Sequence, residues 1–97
     1  MKRAPVELTE WYCGDEECGC SQLQVTRVEP NPKYPGWVIP TTLWEGTLHT
    51  DHEALTDDDY RAAIVAAHEL GAFVYPDSYI LKMADELGLT PPPLWNG

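Results

Sequence analysis

The fold is decided by residues 55–71, LTDDDYRAAIVAAHELG, because this stretch carries separate signals for both ends of a helix. Thr56 is a suitable N-cap, and Asp59 stands at the N3 position of a capping box. The run of three aspartates fills a first turn in which the helix dipole favours anions. Gly71 suits the left-handed conformation that ends many helices. We therefore expect a helix over about residues 57–70.

A second helix is indicated downstream of Pro76. Asp77 or Ser78 can cap its start, and the apolar spacing continues to about Leu87. Gly88 suits the left-handed position that follows a helix end. The second half of the chain is therefore predicted to be helical.

The first half has the pattern of short strands. Val6–Glu10 alternates apolar and polar residues, and Leu23–Val28 mostly does so. Such alternation is typical of strands with one buried face. Trp37–Ile39 and Thr41–Trp44 resume this pattern. Pro40 lies between them and requires a sheet edge or a bulge, because proline has no N–H to donate.

These elements predict an α+β fold, a small antiparallel sheet of three or four short strands packed against two helices. A length of 97 residues allows one domain. We divide it into a mobile N-terminus (1–5), a β-rich part (6–49) with a proline-rich loop (29–36), a two-helix part (55–89) and a proline-rich tail (90–97). Leu94 and Trp95 are expected to pin the tail to the body.

The net charge excludes several classes of partner. Six basic and sixteen acidic side chains give a formal charge of −10, which opposes direct binding to nucleic acid or to an anionic membrane. No run approaches the ~18 apolar residues of a membrane span. Ala4–Glu7 stands where a signal peptide needs an apolar segment. We expect a cytoplasmic protein whose acids either attract a basic partner or simply keep it soluble.

The spacing of cysteine and histidine indicates a metal. Cys13-x4-Cys18-x-Cys20 is followed by His49-x2-His52, and zinc takes four such ligands in a tetrahedron. We expect a structural Zn²⁺ site of the Cys3His type, or of the Cys2His2 type with one cysteine left over. The paired C-x2-C spacing of zinc ribbons is missing, so ordinary thiols and a disulfide or redox role remain alternatives.

An enzyme is the third interpretation, and no catalytic residue is expected. His68-Glu69 resembles the first half of the H-E-x-x-H helix of zinc proteases, but Ala72 replaces the second histidine. The sequence contains no nucleophile elbow, phosphate-binding glycine loop or Ser/His/Asp grouping. A metal ion with an open coordination position would revive this interpretation.

Tryptophans and clustered carboxylates are the remaining features. A core of this size does not need all of the aromatic residues Trp11, Tyr12, Trp37, Trp44 and Trp95, and tryptophan is enriched in binding hot spots. The alternative is that they fill the space between sheet and helices while the acids stay solvated. The carboxylates that we expect to contact a partner are Asp15, Glu16, Glu17, Asp57, Asp58 and Asp59.

These features favour a non-catalytic, acidic interaction module, stabilised by zinc, that binds a basic protein. In size and charge the chain resembles small phage and mobile-element proteins, some of which inhibit host nucleases by presenting nucleic-acid-like charge. No motif carries this likeness, so it serves only as an analogy. The alternative function is a small structural or assembly subunit, such as a virion component, with a tryptophan-rich apolar surface.

Overall fold

The computed structural model describes residues 5–13 and 19–95. This part of the chain forms three strands and two helices: β1 Val6–Tyr12, β2 Ser21–Pro30, β3 Val38–Glu45, α1 Asp57–Leu70 and α2 Tyr79–Glu86. The strands form an antiparallel sheet in the order β1-β2-β3. The predicted α+β class is thus confirmed. Neither of these helices is long and apolar enough to cross a bilayer.

The strands are longer than the sequence pattern predicted. β2 includes Glu29 and Pro30, so the proline-rich loop begins two residues later than expected. β3 runs unbroken through Pro40, which lies opposite Val28. Because β3 is an edge strand, the missing N–H of Pro40 leaves no central ladder hydrogen bond unmade.

A bulge in β3 explains how one edge strand contributes two successive side chains to the core. Val25 lies opposite Trp44 and Thr26 lies opposite Thr42, so Leu43 is the extra residue. Strand residues normally alternate between faces, but a bulge interrupts this alternation. Leu43 and Trp44 both pack against the buried cluster as a result.

Both helices begin and end as their capping residues predicted. The Thr56 hydroxyl accepts a hydrogen bond from the Asp59 N–H, and the Asp59 carboxylate accepts one from the Thr56 N–H. Gly71 ends α1 in the left-handed conformation. Ser78 caps α2, and Gly88 follows α2 with a φ of 70°. Agreement of all these local signals with the fold explains why the helices could be predicted closely.

Two short segments extend the sheet beyond β1. Phe73 forms a parallel bridge with Glu7, and Val74 forms another with Leu94. The Val74 N–H donates to the Pro93 carbonyl, and the Trp95 N–H donates to the Val74 carbonyl. The tail is therefore docked on the body as expected, although the extension of the sheet was not predicted.

The core lies between one face of the sheet and the helices. α1 packs against β1 and β2, and α2 packs against α1. The fully buried side chains of greatest volume are Leu8, Leu23, Val25, Ile64, Val74 and Ile80. The buried stripe of α1 also contains alanines, whose small side chains let the helix approach the sheet closely. Both described helices therefore lie on the core side of the sheet, and neither lies over the opposite face.

Candidate functional site

Three chain segments meet at the end of the β1–β2 hairpin where β1 ends and β2 begins. The Cys13 N–H donates to the Cys20 carbonyl at 2.9 Å, which continues the pairing of the two strands. Ser21 bridges to His49, and the His52 N–H donates to the Gly19 carbonyl at 3.1 Å. The backbone thus brings the segment around residues 49–52 against the cysteine-bearing hairpin, as the sequence pattern required.

A pocket of about 330 Å³ lies where these segments meet, and Cys13, Cys20 and His52 line it. Tyr12, Gly19, Ser21 and Glu53 complete its described lining. Two of the predicted cysteine ligands and one of the two predicted histidines therefore share one pocket. Cys18, together with Asp15, Glu16 and Glu17, lies outside the described residues.

His52 reaches this pocket through an unusual turn. Asp51 and His52 have φ values of 54° and 62°, a left-handed conformation that is uncommon for residues other than glycine. The His52 ring lies over Gly19: a Cβ at position 19 would stand 2.5 Å from the ring's Nδ1. Glycine at this position is what allows the imidazole to lie beside the hairpin.

The two thiols and the imidazole are near each other without forming a finished metal site. Within residues 5–13 and 19–95, no group of three Cys, His, Asp or Glu side chains is arranged so that it could hold a metal ion. A structural zinc site needs ligand atoms about 2.0–2.3 Å from the ion. Zinc therefore stays a prediction for this pocket.

His49, the other predicted zinc ligand, makes different contacts. Its Nε2 lies 2.7 Å from Asp59 Oδ2, and its Nδ1 lies 3.4 Å from Glu53 Oε2. The hydrogen bond to Glu53 raises the pKa of His49, burial opposes the rise, and the contact with Asp59 adds to it. His49 therefore joins the sheet to the first turn of α1. No local pattern predicts this contact, because His49 and Asp59 lie ten residues apart and only α1 contains one of them.

Asp59 is committed to the same link. Burial alone would raise the pKa of its carboxyl, but hydrogen bonds from the Thr56 N–H and hydroxyl and from His49 outweigh burial and lower the pKa. Asp58 forms an ion pair with Arg61 at 2.9 Å, and Asp57 is exposed. Of the predicted partner-binding acids in the described ranges, Asp57 and Asp58 are thus the accessible ones.

A groove of about 530 Å³ crosses the sheet face opposite the core. None of the lining residues that the structure describes belongs to a helix. They come from all three strands and from both added segments: Pro5, Glu7, Trp11, Gln24, Thr26, Val28, Val38, Pro40, Thr42, Phe73, Tyr75 and Trp95. We call this surface the open-face groove. Sequence alternation predicted a second sheet face, but it could not tell that neither α1 nor α2 would lie over this face.

Aromatic side chains form one wall of the open-face groove. Phe73 stacks on Trp95 with ring centroids 4.3 Å apart, and Tyr75 meets Phe73 edge to face. The Tyr75 hydroxyl donates to the Glu7 carboxylate at 2.6 Å, and this bond raises the pKa of Tyr75. The groove thus has an apolar aromatic wall next to a fixed carboxylate.

The exposed fractions of the tryptophan side chains distinguish the two interpretations made from the sequence, which were a binding surface and filling of the core. Trp11, Trp37 and Trp95 are 41, 71 and 40% exposed, and Trp44 packs against the core. Trp37 lies beside Tyr34 and Val38 in a small apolar pocket, and Val38 also lines the open-face groove. Most of the tryptophans therefore do not fill the core, and their side chains lie on or beside one surface.

The other clusters of titratable groups have structural partners. Glu10 accepts hydrogen bonds from the Tyr60 and Tyr12 hydroxyls, and burial followed by this contact raises the pKa of Tyr12 to about 12. His68 lies 2.8 Å from the Thr90 carbonyl. In the described ranges, every buried side-chain nitrogen or oxygen has a hydrogen-bond partner. No polar group in these clusters is held ready for a ligand.

Comparison with protein-family models, curated proteins and solved structures finds no match for the chain.

Proposed function

We propose that this protein is a non-catalytic interaction module that binds a basic protein partner through its open-face groove. The observation that carries the proposal is the placement of the tryptophans. Trp11 and Trp95 are each about two fifths exposed on one groove, and the more exposed Trp37 lies beside it.

The exposed tryptophans offer a partner aromatic surface to bury. A tryptophan side chain buries roughly 150–250 Å² when fully covered. Removing the exposed two fifths of Trp11 and of Trp95 from water would therefore contribute roughly 2 kcal/mol each, at about 25 cal/mol per Å². Tryptophans at the centre of an interface are frequent hot spots. A partner that covers this groove gains more here than on any polar part of the surface.

The charge of the groove and of the whole chain favours a partner of opposite, positive charge. Glu7 provides a carboxylate in the groove, and none of the described lining residues is basic. The whole chain carries sixteen acids against six bases, and Arg61 is already paired with Asp58. Complementary charge speeds encounter and selects partners more than it adds affinity. A basic protein is therefore the partner that this surface favours.

The apolar wall of the groove also supports the alternative function, a structural or assembly subunit held by apolar contacts. Salt separates the two, because association through opposite charges weakens with salt and apolar association changes little or strengthens. Inhibition by nucleic-acid mimicry is a special case of the leading proposal. It requires that nucleic acid compete with the module for the same partner.

The proposal includes a structural zinc ion at the end of the β1–β2 hairpin and a cytoplasmic location. A closed zinc site would add stability to a domain with a small core. A metal-dependent enzyme stays the third interpretation, and it would require an open coordination position on that ion.

The test compares two variants that add the same charge on opposite sides of the molecule. Thr42→Arg places a cation in the open-face groove, whereas Val65→Arg places one on an exposed position of α1. Partners are recovered from the native host with immobilised protein, identified, purified and titrated at low and high salt. We expect Thr42→Arg to weaken binding at least about tenfold and Val65→Arg to leave it nearly unchanged, with wild-type affinity falling as salt rises.

Two results would contradict this proposal. Equal binding by Thr42→Arg and the wild type would place the interface elsewhere. An affinity that is unchanged or higher at high salt would favour the apolar assembly subunit over the acidic module. Circular dichroism of both variants checks that each has kept the fold.

A further inference from the structure

We propose that the open-face groove binds a proline-rich segment of its partner, about seven residues in the polyproline II conformation with a basic residue at their centre. The proposal rests on the proposed function, which puts a basic partner in this groove, and it names the kind of segment that the partner supplies there. The length of the groove, its aromatic wall and the position of its carboxylate support it.

The groove crosses five neighbouring backbones, which are the three strands and the two added segments. The order β3-β2-β1 continues through the bridge of Glu7 to Phe73 and then through that of Val74 to Leu94. Neighbouring strands lie about 4.8 Å apart, so the distance from β3 to the segment of Leu94 is about 19 Å. A polyproline II segment rises about 3.1 Å per residue, and about seven residues therefore span the groove.

The repeat of a polyproline II helix also matches the spacing of this sheet. One turn has three residues and advances about 9.3 Å, which is close to two strand spacings of about 9.6 Å. Residues three apart project to the same side of the segment. Across the groove they therefore lie over alternate backbones, namely β3, β1 and the segment of Trp95, and each of these contributes lining residues.

An added strand or an α-helix suits this surface less well. β2 is paired with a strand on each side, and β1 is paired with β2 and with Phe73, so the floor of the groove presents side chains to a ligand. A polyproline II segment has no internal hydrogen bonds, whereas an α-helix uses its carbonyls internally. The indole N–H groups of Trp11 and Trp95 are donors that such unpaired carbonyls can satisfy.

The rings of the aromatic wall are held by one another and by the backbone. Phe73 stacks on Trp95 with centroids 4.3 Å apart, and Tyr75 meets Phe73 edge to face. The Trp95 N–H donates to the Val74 carbonyl. Proline-rich segments dock in aromatic-lined grooves, and they lose little conformational freedom there because their conformation is preformed.

Glu7 determines where the basic residue lies. It belongs to β1, the middle one of the five backbones, and its Oε2 accepts the hydrogen bond of the Tyr75 hydroxyl at 2.6 Å. Among the described lining residues it is the one charged group. A lysine or arginine at the centre of the bound segment would meet this carboxylate, whereas an acidic residue there would be repelled.

The experiment titrates the full-length protein with three seven-residue peptides by isothermal titration calorimetry at about 0.15 M salt. The probe is a lysine with three prolines on each side, acetylated and amidated to remove the terminal charges. One control replaces the prolines by alanines, and the other replaces the lysine by glutamate. We expect the probe to bind at least about tenfold more tightly than either control, because alanines must be ordered on binding and glutamate is repelled by Glu7.

Two matched variants separate the groove carboxylate from the general negative charge. Glu7→Gln and Glu69→Gln remove the same charge, one from the groove and one from an exposed position of α1 on the core side of the sheet. Glu7→Gln should reduce the preference for lysine over glutamate at least about threefold. Glu69→Gln should leave this preference nearly unchanged, because charges more than about 8 Å apart are largely screened at this salt.

The aromatic wall has its own variant. Trp95→Ala should weaken binding of both proline peptides at least about fivefold without changing the preference for lysine over glutamate. Circular dichroism checks that each variant has kept the fold.

The outcomes distinguish this proposal from the proposed function. Equal affinities for the proline and alanine peptides, or no binding of either, would overturn the proline-rich segment. A preference for lysine that Glu7→Gln leaves intact would overturn the assignment of the central basic residue. The proposed function would survive both results if Thr42→Arg weakens binding of the partner protein, and it would fail if Thr42→Arg binds that partner as the wild type does.

Discussion

Gly19→Ala is the substitution that most sharply tests the geometry of the hairpin end. Gly19 has a φ of +56°, and an added Cβ would lie 2.5 Å from His52 Nδ1. Alanine therefore meets two penalties, a left-handed backbone and a collision with the imidazole. The ring can relieve the collision by moving, but it then leaves the pocket that Cys13 and Cys20 line.

Gly88→Ala is the matched control. Gly88 has a φ of +70°, and an added Cβ meets no atom within 4 Å. Both substitutions should lose about 1–2 kcal/mol of the free energy of unfolding from backbone strain alone. Only Gly19→Ala should also lose zinc. A ligand at 100 times its Kd contributes about 2.7 kcal/mol to stability, and this is the expected excess over the control when zinc is supplied.

Thermal denaturation with zinc and with a chelator measures the two contributions separately. For a domain of this size, 1 kcal/mol shifts Tm by about 4–8 °C. The zinc-dependent excess for Gly19→Ala should thus be about 10–20 °C, and the two variants should differ much less in the chelator. In a His52→Asn background the zinc-dependent penalty of Gly19→Ala should disappear. Equal Tm losses for Gly19→Ala and Gly88→Ala in the presence of zinc would refute a role for His52 in zinc binding at the pocket that Cys13 and Cys20 line.

Three further predictions concern stability, all measured in a chelator so that zinc does not contribute. Because the fold raises the pKa of His49, the contribution of His49 to stability is complete below the unfolded pKa of about 6.5 and is lost as pH rises through the folded pKa. The Tm advantage of the wild type over His49→Asn should therefore be greater at pH 6 than at pH 9, and a constant difference would contradict this. In a urea titration, Asp59→Ala should reduce the free energy of unfolding by about 1–2 kcal/mol, since it removes the capping box and the contact with His49. Asp57→Ala should reduce it by at most about 1 kcal/mol, and equal losses would argue against the special role of Asp59. Ile64→Ala should reduce the free energy of unfolding, measured in urea, by about 2–5 kcal/mol, because Ile64 is 2% exposed. Val65 is 52% exposed, so Val65→Ala should change this free energy by less than about 0.5 kcal/mol, and a similar loss in both would place the core elsewhere.

The helices were predictable because their signals are local. Thr56, Asp59 and Gly71 lie within the segment whose conformation they specify, and the structure uses each as expected. The first and second strands were also found from alternation, although their ends were longer than predicted. Pro40 was expected to require a sheet edge or a bulge, and β3 is an edge strand of the three-stranded sheet.

The added segments of the sheet could not be predicted from the same signals. Phe73 forms one parallel bridge with Glu7, and Val74 forms one with Leu94. A bridge of one residue has no alternation to reveal it, and its partner lies far away in the chain. The width of the sheet, and with it the open-face groove, therefore depended on tertiary contacts.

The approach of two chain segments could be predicted from the sequence, whereas the contacts of the individual histidines could not. Cysteine and histidine spacing correctly indicated that two parts of the chain meet, since Cys13, Cys20 and His52 line one pocket. It could not assign His49 to Asp59, because that contact depends on where α1 lies against the sheet. Likewise the number of tryptophans suggested a binding surface, but only the uncovered sheet face shows which of them are exposed.

The central claim is that a basic protein partner covers the open-face groove, and the tryptophan indoles can report on it directly. With the nitrogen of each indole labelled, the four tryptophans give four signals in a nuclear magnetic resonance spectrum. On addition of the purified partner, the account predicts that the signals of Trp11 and Trp95 shift, while that of Trp44, packed against the core, stays in place. Unchanged signals from Trp11 and Trp95 in a saturated complex would contradict it.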